Sequence, residues 1–232
     1  MALFRAAAEM TDDEIAEATD DHIRAMLGRP ALARFPARLA VARVQAANCR
    51  SCTSRAIGAG RFRLVVTRDV ETEEAHARRA ELPMVTGVAP LNRFVLPNRL
   101  DSDRDLRTAA AALRANMLLI YTFDTDTNVA STASPIDLVT LGFLPSKRAE
   151  AVTTATAILV DTRNGYVYAT AEATATADRR ANTWTRANAV DQSRRWTQAE
   201  AFGKLVEAFA QSWEGVIAEH GPAAAVGGCR AV

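Results

Sequence analysis

The feature that most constrains the fold is an almost unbroken apolar run from Asn116 to Phe123. The run shows no alternation of apolar and polar residues, and it is too short for an ordinary helix. A strand with one face in water alternates, whereas a strand covered on both faces does not. The run therefore predicts a buried strand, and we expect it to lie at the centre of a sheet.

The clearest turn signal is Asn164-Gly165, because Asn-Gly supplies the two positive φ angles of a type I′ hairpin turn. It predicts a hairpin over about residues 151–176, with Val160 opposite Ala169 and Ile158 opposite Ala171. One face of the second strand would then carry Val167, Ala169, Ala171, Ala173 and Ala175. The other face would carry Tyr166, Tyr168, Thr170, Glu172 and Thr174. A row of alanines is a shallow surface on which a helix can lie close.

The helix that fits this surface follows in the sequence. From about residue 187 to residue 219, apolar side chains recur every three or four positions, beginning at Trp196 and ending at Ile217. The pattern predicts a long helix whose large side chains interlock with the alanines. Gly221-Pro222 ends the helix, and we expect residues 221–232 to form a flexible tail.

The other elements follow from caps, breakers and local composition. A capping box at Thr11 to Glu14 predicts a helix over about 12–27, and Asp101 to Asp103 can cap a second one through Leu113. Strands are expected at 38–45 and 62–67, with a short or edge strand within 88–96, and a short charged helix at 69–79. The expected fold class is α/β (α+β), with a mixed sheet around the buried strand. The expected domains are an N-terminal helical extension (1–35), a single α/β domain (36–220) and the tail.

The charge balance limits the classes of partner. The chain has 232 residues with 28 Lys and Arg against 27 Asp and Glu, which argues against a generally basic surface for nucleic acid. No stretch approaches the roughly eighteen consecutive apolar residues of a membrane span, and the first residues lack the apolar segment of a secretory signal. The sequence leaves open a cytosolic protein, a mature form, or a chain whose leader has been removed.

No motif for a common enzyme class or cofactor occurs, so we expect no cofactor and no catalytic set. Cys49-Arg-Ser-Cys52 is a C-x-x-C pair without a second pair to complete a zinc site. Asp124, Asp126 and Asn128 imitate the start of a calcium loop, but the glycine and glutamate that the loop requires are missing. Asp and Thr at this position favour turn hydrogen bonds at the end of the central strand.

Residues 128–147 are expected to form an exposed connection that carries an apolar patch. Such a patch is typical of a contact with a protein partner. Its residues are Ile136, Leu138, Leu141, Phe143 and Leu144.

Four segments carry a resemblance to a known group: Leu39 to Gln45, Leu118 to Asp124, Leu141 to Pro145 and Thr170 to Thr174. With the order of the elements, they resemble bacterial envelope lipoproteins that share an anticodon-binding-like α/β domain. The group includes the curli secretion lipoproteins, the lipoprotein activators of penicillin-binding proteins, and the amino-terminal domain of the Tol-system propeller protein. The resemblance covers about residues 36–219.

The resemblance implies a non-enzymatic module of the periplasm or outer membrane that forms homo-oligomers or docks on a protein partner. It implies membrane attachment only through a lipid anchor, whose signal and lipobox cysteine this sequence does not contain. The alternative is a cytosolic protein that binds a small molecule or metal, or a cytosolic hydrolase. Its site would be Asp124, Asp126 and Glu172, near the end of the central strand, where open α/β sheets bind ligands.

Overall fold

The computed structural model describes residues 5–6, 20–47, 56–66, 71, 81–131, 147–181 and 186–222. The strands are β1 (Arg5–Ala6), β2 (Ala37–Ala46), β3 (Ala56–Ile57), β4 (Phe62–Val65), β5 (Val85–Pro90), β6 (Met117–Ser131), β7 (Lys147–Asp161) and β8 (Val167–Ala181). The helices are α1 (Asp21–Leu27), α2 (Asp103–Ala112) and α3 (Arg186–His220).

The strands form one mixed sheet in the order β1-β8-β7-β6-β2-β4-β3, and β5 also pairs with β2. β6 is parallel to β2 and antiparallel to β7. Met117 and Leu119 of β6 face one hydrophobic core, and Leu118 faces the other. The apolar run is therefore the central strand, and it is covered on both faces, as predicted.

The first core lies between the sheet and α3. Alanines from Ala169 to Ala175 alternate along β8 and pack with Phe202, Leu205 and Trp213 of α3. α3 has 35 residues and β8 has 15, so each element is about 50 Å long. The predicted packing of a long helix on a row of alanines is confirmed, except that Trp196, the first residue of the predicted apolar stripe, is 47% exposed.

The second core is smaller because α2 covers only one end of the opposite face. Leu106, Ala109 and Ala110 of α2 pack there with Leu118 and Val160. Ser102 and Asp105 form the capping box of α2. As a result, among the described residues only α3 covers the ends of β6, β7 and β8 that lie away from α2, and it covers one face.

Two predictions about the ends of the strands are wrong. Residues 124–128, expected to form a polar turn, continue β6, which extends to Ser131 and pairs with β7 along its whole length. The hairpin register also differs, because Val160 pairs with Val167 and Ile158 with Thr170.

The turn and a bulge together set the observed register. The Asp161 amide donates to the Tyr166 carbonyl (2.8 Å), so the loop comprises residues 162–165 rather than Asn164 and Gly165 alone. The predicted type I′ turn is wrong, because Gly165 has a positive φ (77°) and Asn164 does not.

Between Leu159 and Val160 the pairing shifts, so that Tyr168 has no partner of its own on β7. Tyr168 and Ala169 consequently both face the first core, and Val167 packs at the second core. From Thr170 onwards, the predicted division of β8 into an alanine face and a polar face holds.

The hairpin turn also binds the segment that precedes β2. Asp161 is fully buried, and its Oδ2 accepts hydrogen bonds from the Tyr168 hydroxyl (2.9 Å) and from the Leu32 amide (3.2 Å). The Tyr168 hydroxyl accepts one from the Ala33 amide (2.8 Å). These bonds hold residues 32–33 against the end of the hairpin.

Several predictions lie outside the described residues. They are the first part of the 12–27 helix, the charged helix at 69–79, the Cys49 and Cys52 pair, most of the 128–147 connection and most of the tail. Of the first helix, the structure describes residues 21–27.

Candidate functional site

An uncovered surface in the described part of the chain is the open face of β6, β7 and β8. Along this face hydroxyls stand opposite one another, as with the exposed pair Thr154 and Thr174, whose Oγ1 atoms are 3.2 Å apart. Thr170, Glu172, Thr174 and Thr176 of β8 are all exposed, while the alanines between them are buried beneath α3. One face of β8 is therefore polar and exposed, and the other is apolar and buried.

Among the described residues, the outer edge of β8 also lacks a neighbouring strand along most of its length. β1 pairs only with Ala169 and Thr170. Beyond Thr170, the described residues include no strand on that side. The register of β8 with β7 is regular from Ala169 to Ala181, so no bulge turns the edge away.

The orientation of the edge groups follows from one contact. The Lys204 ammonium of α3 lies 3.5 Å from the carbonyl oxygen of Thr174. In an antiparallel pair, the N–H and C=O of one residue point to the same side. The backbone of Thr174 thus faces outwards, as do those of Glu172 and Thr176, two positions away on either side.

A polar seam lies under the beginning of α3. Thr153 of β7 is fully buried, and its Oγ1 is 3.0 Å from that of Thr125 and 2.8 Å from that of Thr197. The Gln198 amide donates to Thr125 Oγ1 at 3.0 Å. The interface between helix and sheet is therefore hydrogen-bonded here and apolar further along α3.

A buried ion pair lies near the middle of the first core. Arg43 and Glu71 have side chains only 7% and 6% exposed, and their charged atoms are 4.0 Å apart. The Tyr121 hydroxyl donates to the same Glu71 oxygen, and the Arg43 guanidinium lies 4.6 Å from the centre of the Phe123 ring. The ion pair is therefore buried beside two aromatic rings, which suits a structural role.

A cavity between α3 and the sheet is too small for a ligand. It is lined entirely by apolar and aromatic residues, including Leu119, Tyr121 and Phe202, and its volume is about 10 Å³. Ligand pockets typically measure roughly 300 to 1,000 Å³. The apolar lining does not favour a bound water, and the volume is too small for a substrate.

The structure places Asp124, Asp126 and Glu172 on the open face, and all three are exposed. Glu172 is opposite Thr156, and Asp124 is opposite Thr154, so β7 separates the aspartates from the glutamate. Strands two apart are about 9.6 Å from each other, too far for carboxylates to share one ion easily. In the part of the chain that the structure describes, no group of three His, Cys, Asp or Glu could hold a metal.

Of the five residues predicted for partner contact, Ile136, Leu138, Leu141, Phe143 and Leu144, none is among the described residues. The sequence analysis did not find the open edge of β8. The long alternation of Ala and Thr from 169 to 177 was the available signal, but alternation alone does not show which strand is at an edge. None of the helices in the described ranges is long and apolar enough to span a bilayer.

No protein-family model matches the sequence, and no curated protein is similar to it. Among solved structures, the chain is similar to the PelC dodecamer from Paraburkholderia phytofirmans, with 18% identity and a TM-score of 0.33, covering 76% of this chain and 92% of that one. It is also similar to rare lipoprotein B from Shewanella oneidensis, with 9% identity and a TM-score of 0.32, covering 79% and 99%. The second of these is named as a lipoprotein. Likenesses of this size do not establish the family of this chain.

Proposed function

We propose that the chain is a non-enzymatic interaction module of the bacterial cell envelope, which associates with a second copy of itself along the open edge of β8. This proposal rests on one observation. The edge of β8 is regular beyond Thr170, and it has no neighbouring strand there among the described residues. The place in the envelope rests on the sequence resemblance.

An open edge is a template for another strand, because its outward N–H and C=O groups can pair with those of a second chain. Natural proteins often protect such edges with proline, a bulge or inward-pointing charges. Between Ala171 and Ala181 β8 has neither proline nor bulge. Of the described side chains, Lys204 reaches this edge at Thr174 only.

The sequence of β8 is compatible with antiparallel pairing to its own copy. If Thr174 meets its equivalent on a two-fold axis, Ala173 lies opposite Ala175, and Glu172 lies opposite Thr176. No acidic residue then faces another, and each strand keeps its alanines on the side of α3. Cross-strand pairs of like charge would destabilise the pairing, so their absence in this register favours a second copy as the occupant.

Replacing Thr174 with proline tests this directly. Because the Thr174 amide faces outwards, Thr174→Pro leaves the ladder with β7 intact, as is usual for proline on an edge strand. It removes an intermolecular donor from each copy, which at about 1 kcal/mol per bond predicts association roughly thirtyfold weaker. Sedimentation velocity over a range of concentrations measures the association.

Thr174→Val is the matched control, since it also loses the hydroxyl contact with Thr154 but keeps the backbone amide. We expect the valine variant to associate like the original chain. A chain that remains monomeric at high concentration, or equal effects of proline and valine, would contradict the proposal. A large fall in melting temperature for Thr174→Pro alone would show that its amide belongs to the β7 ladder instead.

The proposed location is tested separately by fractionating source cells and determining the intact mass and N-terminal residue of the mature protein. A membrane-associated species with a lipid-modified cysteine supports the envelope. An unmodified cytosolic species contradicts it and would turn attention to ligand and metal screening. The apolar patch from Ile136 to Leu144 stays a proposed second contact.

A further inference from the structure

Four large aliphatic side chains are exposed close together in sequence on α1 and the segment after it. Ile23 is 51% exposed, Met26 50%, Leu27 37% and Leu32 38%. Ile23, Met26 and Leu27 have the spacing of one helix face, which here points to solvent. Leu32 follows on the segment that is tied to the buried carboxylate of Asp161. The group therefore forms an apolar projection at the hairpin-turn end of the domain.

Arginines surround the base of this projection. The guanidinium groups of Arg29 and Arg107 lie so near Gly165 that a Cβ there would come within 3.3 Å of both. Arg163, in the same turn, donates to the Leu32 carbonyl at 3.2 Å. The turn thus brings together arginines that are far apart in the sequence.

Three more arginines extend the same end of the sheet. Asn116 donates to the carbonyl of Arg34 (2.6 Å) and accepts from the amide of Arg38 (2.7 Å). Arg114 lies two residues before Asn116. The side chains of Arg34, Arg38 and Arg114 are all exposed.

Most of this positive charge has no ion-pair partner among the described residues. Arg107 pairs with Asp103 at 2.9 Å. Across the described ranges, no carboxylate lies within ion-pair distance of Arg29, Arg34, Arg38, Arg114 or Arg163. Asp161, the acidic residue at the centre of this end, is buried and already accepts three hydrogen bonds.

We propose that this end of the domain binds the surface of an anionic lipid bilayer, with the aliphatic side chains of α1 and Leu32 entering the interface and the arginines binding lipid phosphates. Guanidinium groups bind phosphate through paired hydrogen bonds. Aliphatic side chains beside basic ones are typical of segments that lie in the membrane interface. The inference is independent of the proposed association through β8.

A bilayer fits this surface better than an acidic protein does. Protein interfaces draw most of their binding energy from aromatic anchors such as Trp and Tyr. The exposed apolar residues here are aliphatic, and two aromatic residues beside them, Phe35 and Tyr168, pack in the first core instead. A lipid bilayer is fluid and needs no pocket of matching shape. It can therefore accommodate a small apolar projection that is surrounded by long arginine side chains.

The test is sedimentation of the full chain with vesicles of phosphatidylcholine and phosphatidylglycerol at 7:3, compared with phosphatidylcholine alone. We expect binding to the anionic vesicles that weakens in high salt and little binding to the neutral ones. Replacing Arg34, Arg38 and Arg114 together by glutamine should weaken binding about 100-fold, at roughly fivefold for each arginine near an anionic surface. Ile23→Ser with Met26→Ser should weaken binding while leaving its salt dependence in place.

The matched control replaces the exposed arginines Arg61, Arg63 and Arg93 by glutamine, with the same change in net charge at a different part of the molecule. We expect this variant to bind like the original chain. Equal losses in the two triple variants would overturn the proposal, because net charge alone would then explain binding. Equal binding to neutral vesicles, or no binding to anionic vesicles, would overturn it as well, and the second result would favour an acidic protein partner. Thr174→Pro should leave vesicle binding unchanged.

Discussion

The hydroxyl of Tyr168 links the hairpin to the segment before β2, and its removal gives a sharp test of the fold. The hydroxyl donates to Asp161 and accepts from the Ala33 amide, at 2.9 and 2.8 Å. Burial raises the pKa of this phenol, and the Asp161 carboxylate contributes in the same direction, so the proton stays in place throughout the neutral range. Tyr168→Phe keeps the ring in the core and removes both bonds.

The expected loss is about 3 kcal/mol in the free energy of unfolding. A hydrogen bond to a charged group contributes about 1.5 to 3 kcal/mol, and a partly buried donor left without a partner costs about 1 kcal/mol or more. For a chain of this size, each kcal/mol corresponds to roughly 2 to 4 °C. The melting temperature should therefore fall by about 6 to 12 °C.

Urea denaturation and thermal melting measure the change. Thr154→Val is a suitable control, because its hydroxyl meets Thr174 on an exposed surface, where its loss should cost about 0.5 kcal/mol or less. A loss below about 1 kcal/mol for Tyr168→Phe would refute the reasoning, since water would then replace the hydroxyl without penalty. Equal losses in the two variants would refute it too.

Two further predictions concern the helices. Both Trp196 and Trp213 belong to α3, but Trp213 is fully buried and Trp196 is 47% exposed. Trp213→Ala should therefore lower the free energy of unfolding by about 3 to 5 kcal/mol, and Trp196→Ala should lower it by much less. Similar losses in urea melts would contradict the described packing. Asp105 has a pKa below its ordinary 3.8, because the amides of Asp101 and Ser102 donate to its carboxylate. Its stabilisation is therefore present above about pH 3.8 and disappears as the pH falls through the lowered pKa. Asp105→Asn should cost about 1 kcal/mol at neutral pH and progressively less as the pH falls through the lowered pKa, whereas a constant difference in melts across pH would rule out the carboxylate.

The sequence predicts those parts of the fold in which side-chain character matches burial. The apolar run at 116–123 indicates the central strand, and the aromatic residues from Phe202 to Trp213 indicate the face of α3. These signals are reliable because a covered surface excludes water from every residue on it. The face of each residue on β8 beyond Thr170 follows from the same reasoning.

The prediction fails where buried positions are polar. Thr125 and Thr153 lie beneath α3 and bond to its hydroxyl and amide groups, so the end of β6 resembles an exposed turn in composition. The bulge at Tyr168 is equally invisible, because its hydrogen bonds to Asp161 and Ala33 become apparent only when residues far apart in sequence are brought together.

The arginine-rich end could not be predicted from the sequence either. Its members are distributed between residues 29 and 163, and the overall charge is only +1. Composition therefore indicates no basic surface, although the hairpin turn gathers one. Which charges meet is determined by topology, and a nearly neutral chain can still carry a strongly polarised end.

The alanine row beneath α3 raises the question of what fixes the helix along its own axis. Methyl groups repeating every second residue offer almost the same surface at each step, so alone they would let a helix slide with little resistance. The side-chain hydrogen bonds of Thr153, Thr197 and Gln198 can form at only one position of α3 along the sheet. A shift of one helical turn, about 5.4 Å, would break all of them at once. The polar seam thus fixes the position of α3 along its own axis relative to the sheet.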